Sequence, residues 1–127
     1  MPGPLDGFRV VDLSQIVSGP FASMLLSDQG AAVVKVEPVV GQDVTRRLNY
    51  ARGGLSAFYL NGNRGKRSIS VDLTRTEGRQ VVLDLAASAD VFLQNFRPGA
   101  CERLGIGYED IRAVKSDIVY VSISGYG

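Results

Sequence analysis

The feature that most constrains the fold lies at the start of the chain, where two β-branched apolar runs of strand length flank a segment of helix length. Phe8 to Ser14 reads FRVVDLS and Ala31 to Glu37 reads AAVVKVE; short valine-rich runs of this kind are typical of buried strands. Between them, SGPFASMLLSDQG carries helix signals: Ser18 as a cap, Pro20 near the first helical position, Phe21, Met24 and Leu25 on one face, and Gly30 as the stop. Two strands joined through a helix pair in parallel, so a βαβ unit is predicted.

The same alternation continues after an interruption. Residues 38 to 65 lose periodicity and gain Gly, Asn and Arg, which predicts a long ordered loop, with Phe58, Tyr59 and Leu60 marking it as functional rather than disordered. A third strand is predicted around Ser68 to Leu73. A helix follows, with Val81, Val82, Leu85 and Ala86 on one stripe behind Thr74 and Glu77, which are spaced as a capping box. DVFLQ (Asp90 to Gln94) reads as a fourth strand, PGACERLG and YEDIRAV as short helices, and DIVYVSIS (Asp117 to Ser124) as a fifth strand. The expected architecture is α/β: a Rossmann-like, doubly wound, mainly parallel sheet forming one domain over residues 1–127. No internal repeat or low-complexity segment interrupts it. The sequence ends in SISGYG directly after a strand, so the domain is expected to be truncated there.

Composition narrows the chemistry. The 127 residues contain no His and one Cys, with 14 Lys plus Arg against 13 Asp plus Glu. Without an imidazole, this chain cannot by itself supply a histidine base, a Ser-His triad or a histidine metal site, and no metal is expected. Cys101 alone forms no intramolecular disulfide, in keeping with a reducing compartment, and reads as a small core residue. There is no membrane-length apolar run, and Met1 to Asp6 lacks the layout of a signal peptide, so a cytoplasmic protein is expected, with no membrane partner. A net charge of +1 argues against general nucleic-acid binding, yet the charge is uneven. No carboxylate falls between Asp43 and Asp72, while Arg46, Arg47, Arg52, Arg64, Lys66 and Arg67 do. That stretch reads either as a solvated basic loop or as a surface for a small polyanion.

Neither GxGxxG after the first strand nor GxxxxGK[ST] occurs, so phosphate would be held by arginine forks and helix N-termini. In doubly wound sheets ligands sit beyond the carboxyl ends of the strands, here the turns Gln15 to Gly19, Glu37 to Arg47 and Asn95 to Gly99, which are expected to line one rim. Asp12, at the end of the first strand, reads as a structural carboxylate bonding the adjoining turn. Asn95 either orders its turn or faces the ligand.

Several segments in unbroken order, PLDGFRVVDLSQIVSGPFASMLLSDQGAAVVKVEP, GQDVTR, NRGKRSISVDL, EGRQVVLDLAASADVFLQNFRPGACERLGIGY and IVYVSISGYG, resemble the N-terminal part of class III CoA-transferases. This is the formyl-CoA and carnitine-CoA transferase family, which also contains α-methylacyl-CoA racemases. The resemblance covers nearly all of this chain but only part of a typical member. It implies a Rossmann-like domain binding coenzyme A, a small domain built from later sequence, and an interlocked homodimer. The implied substrates are an acyl-CoA and a carboxylic acid acceptor.

Carried onto this sequence, the resemblance places CoA against Gln15, Ile16, Val17 and Ser18, against Asp72 and Leu73, against Asn95 and Phe96, and against Arg103 as a phosphate contact. Asp43 and Arg46 match a D-x-T-R element and read as loop-ordering first, ligand-binding second. Pro38 stands where some transferases are basic, and Val17 where an oxalate-handling member is polar, which weighs against formate or oxalate. The implied catalytic aspartate belongs to sequence after the SGYG element, so no catalytic residue is assigned here. The long basic loop and NFRPG favour a transferase over a racemase. From another class, a non-catalytic anion- or RNA-binding module using Arg46 to Arg67 is the alternative; the near-neutral overall charge argues against it.

Overall fold

The computed structural model describes residues 3–48 and 51–126; Met1 and Gly127, which figure in the reading of the termini, lie outside them. The elements are β1 (Arg9–Asp12), α1 (Ser18–Asp28), β2 (Ala32–Pro38), a 3₁₀ turn (Val44–Arg47), β3 (Ala51–Arg52), β4 (Leu55–Ser56), α2 (Ala57–Asn63), β5 (Arg67–Val71), α3 (Thr76–Ala87), β6 (Val91–Gln94), α4 (Ala100–Arg103), α5 (Tyr108–Val114) and β7 (Val119–Ser122). Five strands form one sheet in the order β5-β2-β1-β6-β7, and every pairing in it is parallel. Counting only those five, the chain lays down its third strand beyond the second, then returns to place the fourth on the other side of the first. This is the doubly wound Rossmann-like order. The reversal falls between β1 and β6, and the turns leaving those two strands therefore flank the crevice where such sheets hold ligands.

Alternation along the strands sends side chains to two apolar layers. Val10 and Val33 face one side with Ala31, backed by Leu26 of α1. Val11, Val36, Val71 and Phe92 face the other, where Val82 and Ala86 of α3, Ile111 of α5, Cys101 and Ile106 close over them. Phe92 stacks on Tyr120 of β7 at 5.3 Å between ring centroids.

Three sequence expectations need correction. The long loop is instead a built connection: a 3₁₀ turn, the β3–β4 hairpin and α2, which Ser56 caps through the Tyr59 amide. Local capping and a buried Tyr59 replaced the helical or strand periodicity that would have revealed it. In α1, Ser18 does not cap, and Phe21 and Leu25 are exposed; the buried face is Gly19, Pro20, Ser23 and Met24. The helix turns that small, polar face inward because Ser23 donates to Asp12 beneath it. In α3 the expected box between Thr74 and Glu77 is absent: the Thr74 hydroxyl and amide both bond Asp72 at 2.6 and 3.0 Å, and the helix begins at Thr76 with no side-chain cap. An Asp two residues upstream competes for the threonine and wins. Of the expected stripe, Val82 and Ala86 are buried and Val81 is exposed.

Candidate functional site

The site grows out of the turn after β1. Asp12 accepts from the Ser14 amide at 2.8 Å, from the Ser14 hydroxyl, and from the Ser23 hydroxyl at 2.5 Å. Lys66, arriving from beyond α2, donates to Asp12 at 3.0 Å, to the Pro20 carbonyl at 2.9 Å and to Asn63 at 2.9 Å. Both partners are buried. Burial alone would raise the Asp12 carboxyl, but the Lys66 and Lys35 charges and the two serine hydroxyls outweigh it and hold it below the ordinary carboxylate range. Burial also depresses Lys66, against the pull of Asp12. Asp12 is thus a structural carboxylate, with every lone pair committed to the turn and helix around it.

Past Asp12 each backbone group of the turn has its own partner. Lys35 of β2 donates to the Ser14 carbonyl at 2.8 Å. The Asn95 side chain clasps Gln15 from both sides, accepting from its amide at 2.8 Å and donating to its carbonyl at 2.7 Å. Asp43 accepts from the Ile16 amide at 3.2 Å, from the Thr45 hydroxyl at 2.7 Å and from Lys35 at 3.4 Å. Ile16 sits at φ 70°, the one non-glycine residue with positive φ among those described. Gly19, at the first turn of α1, lies so close to the Ser14 side chain that a Cβ there would collide with it. Val17, Ser18 and Gly19 head α1, where the first amides of a helix have no intrahelical acceptor.

Around this turn run the other two rim segments. Phe96 and Asn95 share a hollow with Ser18 and Ser124. Phe96 also walls a larger cleft of about 700 Å³ lined by Val36, Pro38, Val40, Asp72, Leu73 and Leu104. That cleft continues past Leu73, Thr74 and Leu104 into a smaller hollow bordered by Arg75, Arg79 and Arg103. The Arg103 guanidinium lies over Gly99 at the start of α4.

The sequence-derived residues therefore fall as follows. Gln15, Ile16, Val17 and Ser18 form the turn at the switch point, held by Asn95. Leu73, Phe96 and Leu104 form the apolar wall, and Arg103 stands at its far end. Asp72 lines the cleft with its carboxylate engaged by Thr74, whose hydrogen bonds hold it below the usual range. Asp43 and Arg46 order the loop: Arg46 pairs with Glu37 at 2.8 Å and covers the Tyr59 ring, whose hydroxyl bonds Glu37 at 2.8 Å. Burial, then Glu37, pushes the Tyr59 phenol well above its ordinary value.

The basic stretch is the main correction. Arg46 is paired to Glu37, Arg64 to Asp28 and Lys66 to Asp12, so half of its six cations are neutralised by carboxylates from outside the stretch. Its net positive charge is therefore about half of what the sequence of the stretch alone suggests. Sequence reasoning also missed Lys35. The available signal was one cation inside a valine-rich strand, which folds only with buried partners. Among the described residues no group of three His, Cys, Asp or Glu could hold a metal, and no helix is long and apolar enough to cross a membrane.

The switch-point turn and the apolar cleft lie together at one edge of a Rossmann-like sheet, the place where such sheets hold ligands. Residues 5–127 match the model of CoA-transferase family III, and the chain belongs to that family. An acyl-CoA transferase of Fusarium pseudograminearum is 42% identical over 134 residues, and the human succinyl-CoA:glutarate CoA-transferase 43% over 125 residues. Each alignment covers 98% of this chain but only 29% and 28% of the respective relative. The crystal structure of a CAIB/BAIF family protein from Brucella suis superposes over the whole chain and 35% of its own, with a TM-score of 0.94 and 39% identity.

Proposed function

We propose that this chain is the coenzyme A-holding part of an enzyme that moves CoA from an acyl-CoA to a carboxylic acid. The carrying observation is the single rim on which the Gln15–Ser18 turn, the Leu73–Phe96–Leu104 wall and Arg103 meet. The backbone of the turn meets the adenine end, Asp72 and the apolar wall pack against the carrier, and Arg103 takes phosphate through its paired donors.

The reaction of the whole protein uses an aspartate from family sequence that this chain does not span. Its carboxylate oxygen attacks the thioester carbonyl; the C–S bond breaks and the thiolate leaves with the electron pair, giving a mixed anhydride. The thiolate then attacks the aspartyl carbonyl, releases the first carboxylate, and the resulting enzyme thioester passes CoA to the acceptor by the same two steps. Dividing the exchange this way keeps every step an acyl substitution. The carboxylates of this chain that lie nearest the rim, Asp12, Glu37, Asp43 and Asp72, are each committed to protein hydrogen bonds, so their part is to shape the site.

The whole protein is further proposed to be a cytoplasmic homodimer, for which the exposed Phe21 and Leu25 of α1 and Phe58 and Leu60 of α2 supply an apolar face. Calorimetry with CoA and dephospho-CoA tests the binding proposal. Arg103→Ala is expected to weaken CoA about tenfold, the worth of one charge-assisted contact. Absence of CoA binding, or binding indifferent to Arg103→Ala, refutes it.

A further inference from the structure

We infer that the buried Lys35–Asp43 pair is a positioning device for the ligand turn: it forces Ile16 into the left-handed conformation and so sets the affinity of the rim for CoA without touching the ligand. The inference rests on the reading of that turn as a CoA contact.

Ile16 is the worst kind of residue for its conformation. A β-branched side chain at φ 70° crowds the following carbonyl, and an unconstrained chain would relax to negative φ. Ile16 is 54% exposed, so apolar packing does not hold it there. What holds it is a set of polar clamps from three other segments. Lys35 fixes the Ser14 carbonyl on one side, Asn95 fixes both groups of Gln15, and Asp43 fixes the Ile16 amide. Asp43 is in turn aimed by the Thr45 amide and hydroxyl at 3.0 and 2.7 Å, and its charge is balanced by Lys35. Lys35 and Asp43 are both almost wholly buried. Two hydrophobic residues would fill that volume at less desolvation cost, so the pair is not explained by stability alone. Its geometry is explained by the turn: one partner grips the carbonyl before Gln15 and the other grips the amide after it. Released, the turn swings the Val17 and Ser18 amides out of the direction they share with the first turn of α1.

The test separates positioning from folding. In the Lys35→Met, Asp43→Ala double variant both charges leave together, which limits the burial penalty. The Ile16 amide is expected to exchange with solvent at least about tenfold faster while β1 core amides such as Val11 keep their protection. CoA affinity should fall about tenfold, the factor a left-handed penalty implies. Glycine adopts positive φ freely, so adding Ile16→Gly to the double variant should bring affinity back to within about threefold of Ile16→Gly alone. A role in global stability would not produce that rescue. Failure of the rescue, or unchanged Ile16 exchange, overturns the inference. If the unmodified chain does not bind CoA, the functional reading falls and the exchange experiment alone decides the positioning claim. Should the double variant not fold, Thr45→Val, which removes the hydroxyl aiming Asp43, replaces it with an expected threefold effect; no change in Ile16 exchange there overturns the inference equally.

Discussion

Replacing Lys66 by methionine removes the cation on which the base of the site depends. The ammonium group donates to Asp12, to the Pro20 carbonyl and to Asn63, all at 2.9–3.0 Å and out of solvent. Methionine fills the same volume, so cavity formation contributes little. The loss is electrostatic: a buried carboxylate left without its main counter-charge typically costs about 3–5 kcal/mol. For a chain of this length that corresponds to a fall in melting temperature of about 10–25 °C. The effect should depend on pH in a definite sense. Asp12 is held below its ordinary value in the folded state, so its contribution is present above about pH 3.9, the unfolded value, and is lost as pH falls through the folded value. Lys66→Met relaxes that depression, so the deficit against the unmodified protein should be largest near neutrality and narrow below about pH 4. Urea denaturation from pH 7 to pH 2.5, with Asp12→Asn and the double variant, measures it; the coupling between the two substitutions should be on the order of 2 kcal/mol. A deficit under about 1 kcal/mol, or one constant across that pH range, refutes the argument.

Phe92→Ala removes a fully buried ring stacked on Tyr120 and should cost about 3–5 kcal/mol in urea denaturation; a cost below about 1.5 kcal/mol would mean the β6–β7 face packs differently. Gly19→Ala, which drives a methyl group into Ser14, should weaken CoA binding in calorimetry by more than its loss of melting temperature accounts for, because the collision falls on the ligand turn itself; equal loss in both would contradict that. Burial pushes the Cys101 thiol up to about 11, so iodoacetamide at pH 8 should label it only after unfolding, read by intact-mass spectrometry, and labelling of the native chain would show an open α4.

The order of the sheet elements was readable because it rests on local signals: valine runs, a glycine stop, short helical stripes. The rim was readable for the same reason, since turns after parallel strands must gather at one edge. What escaped was carried by contacts distant in sequence. Asn95 meets Gln15 across 80 positions, Lys66 meets Asp12 across 54, and Arg64 meets Asp28 across 36. Nothing in the composition of the basic stretch reveals that its carboxylates are supplied by β1, α1 and β2. The face of α1 was misassigned because apolar residues were expected inside; the buried charge under Ser23 reversed that preference.

This pairing decides where an anion is attracted. With Arg46, Arg64 and Lys66 neutralised, the field of the 46–67 stretch over the turn is much weaker than its sequence suggests. Arg79 and Arg103, by contrast, have no carboxylate partner among the described residues and border one hollow at the end of the apolar cleft. Uncompensated guanidinium groups beside an apolar cleft attract negative charge there. Carboxylates of β1, α1 and β2 thus cancel half of the basic stretch, whereas the two guanidinium groups beside the cleft keep their charge uncompensated.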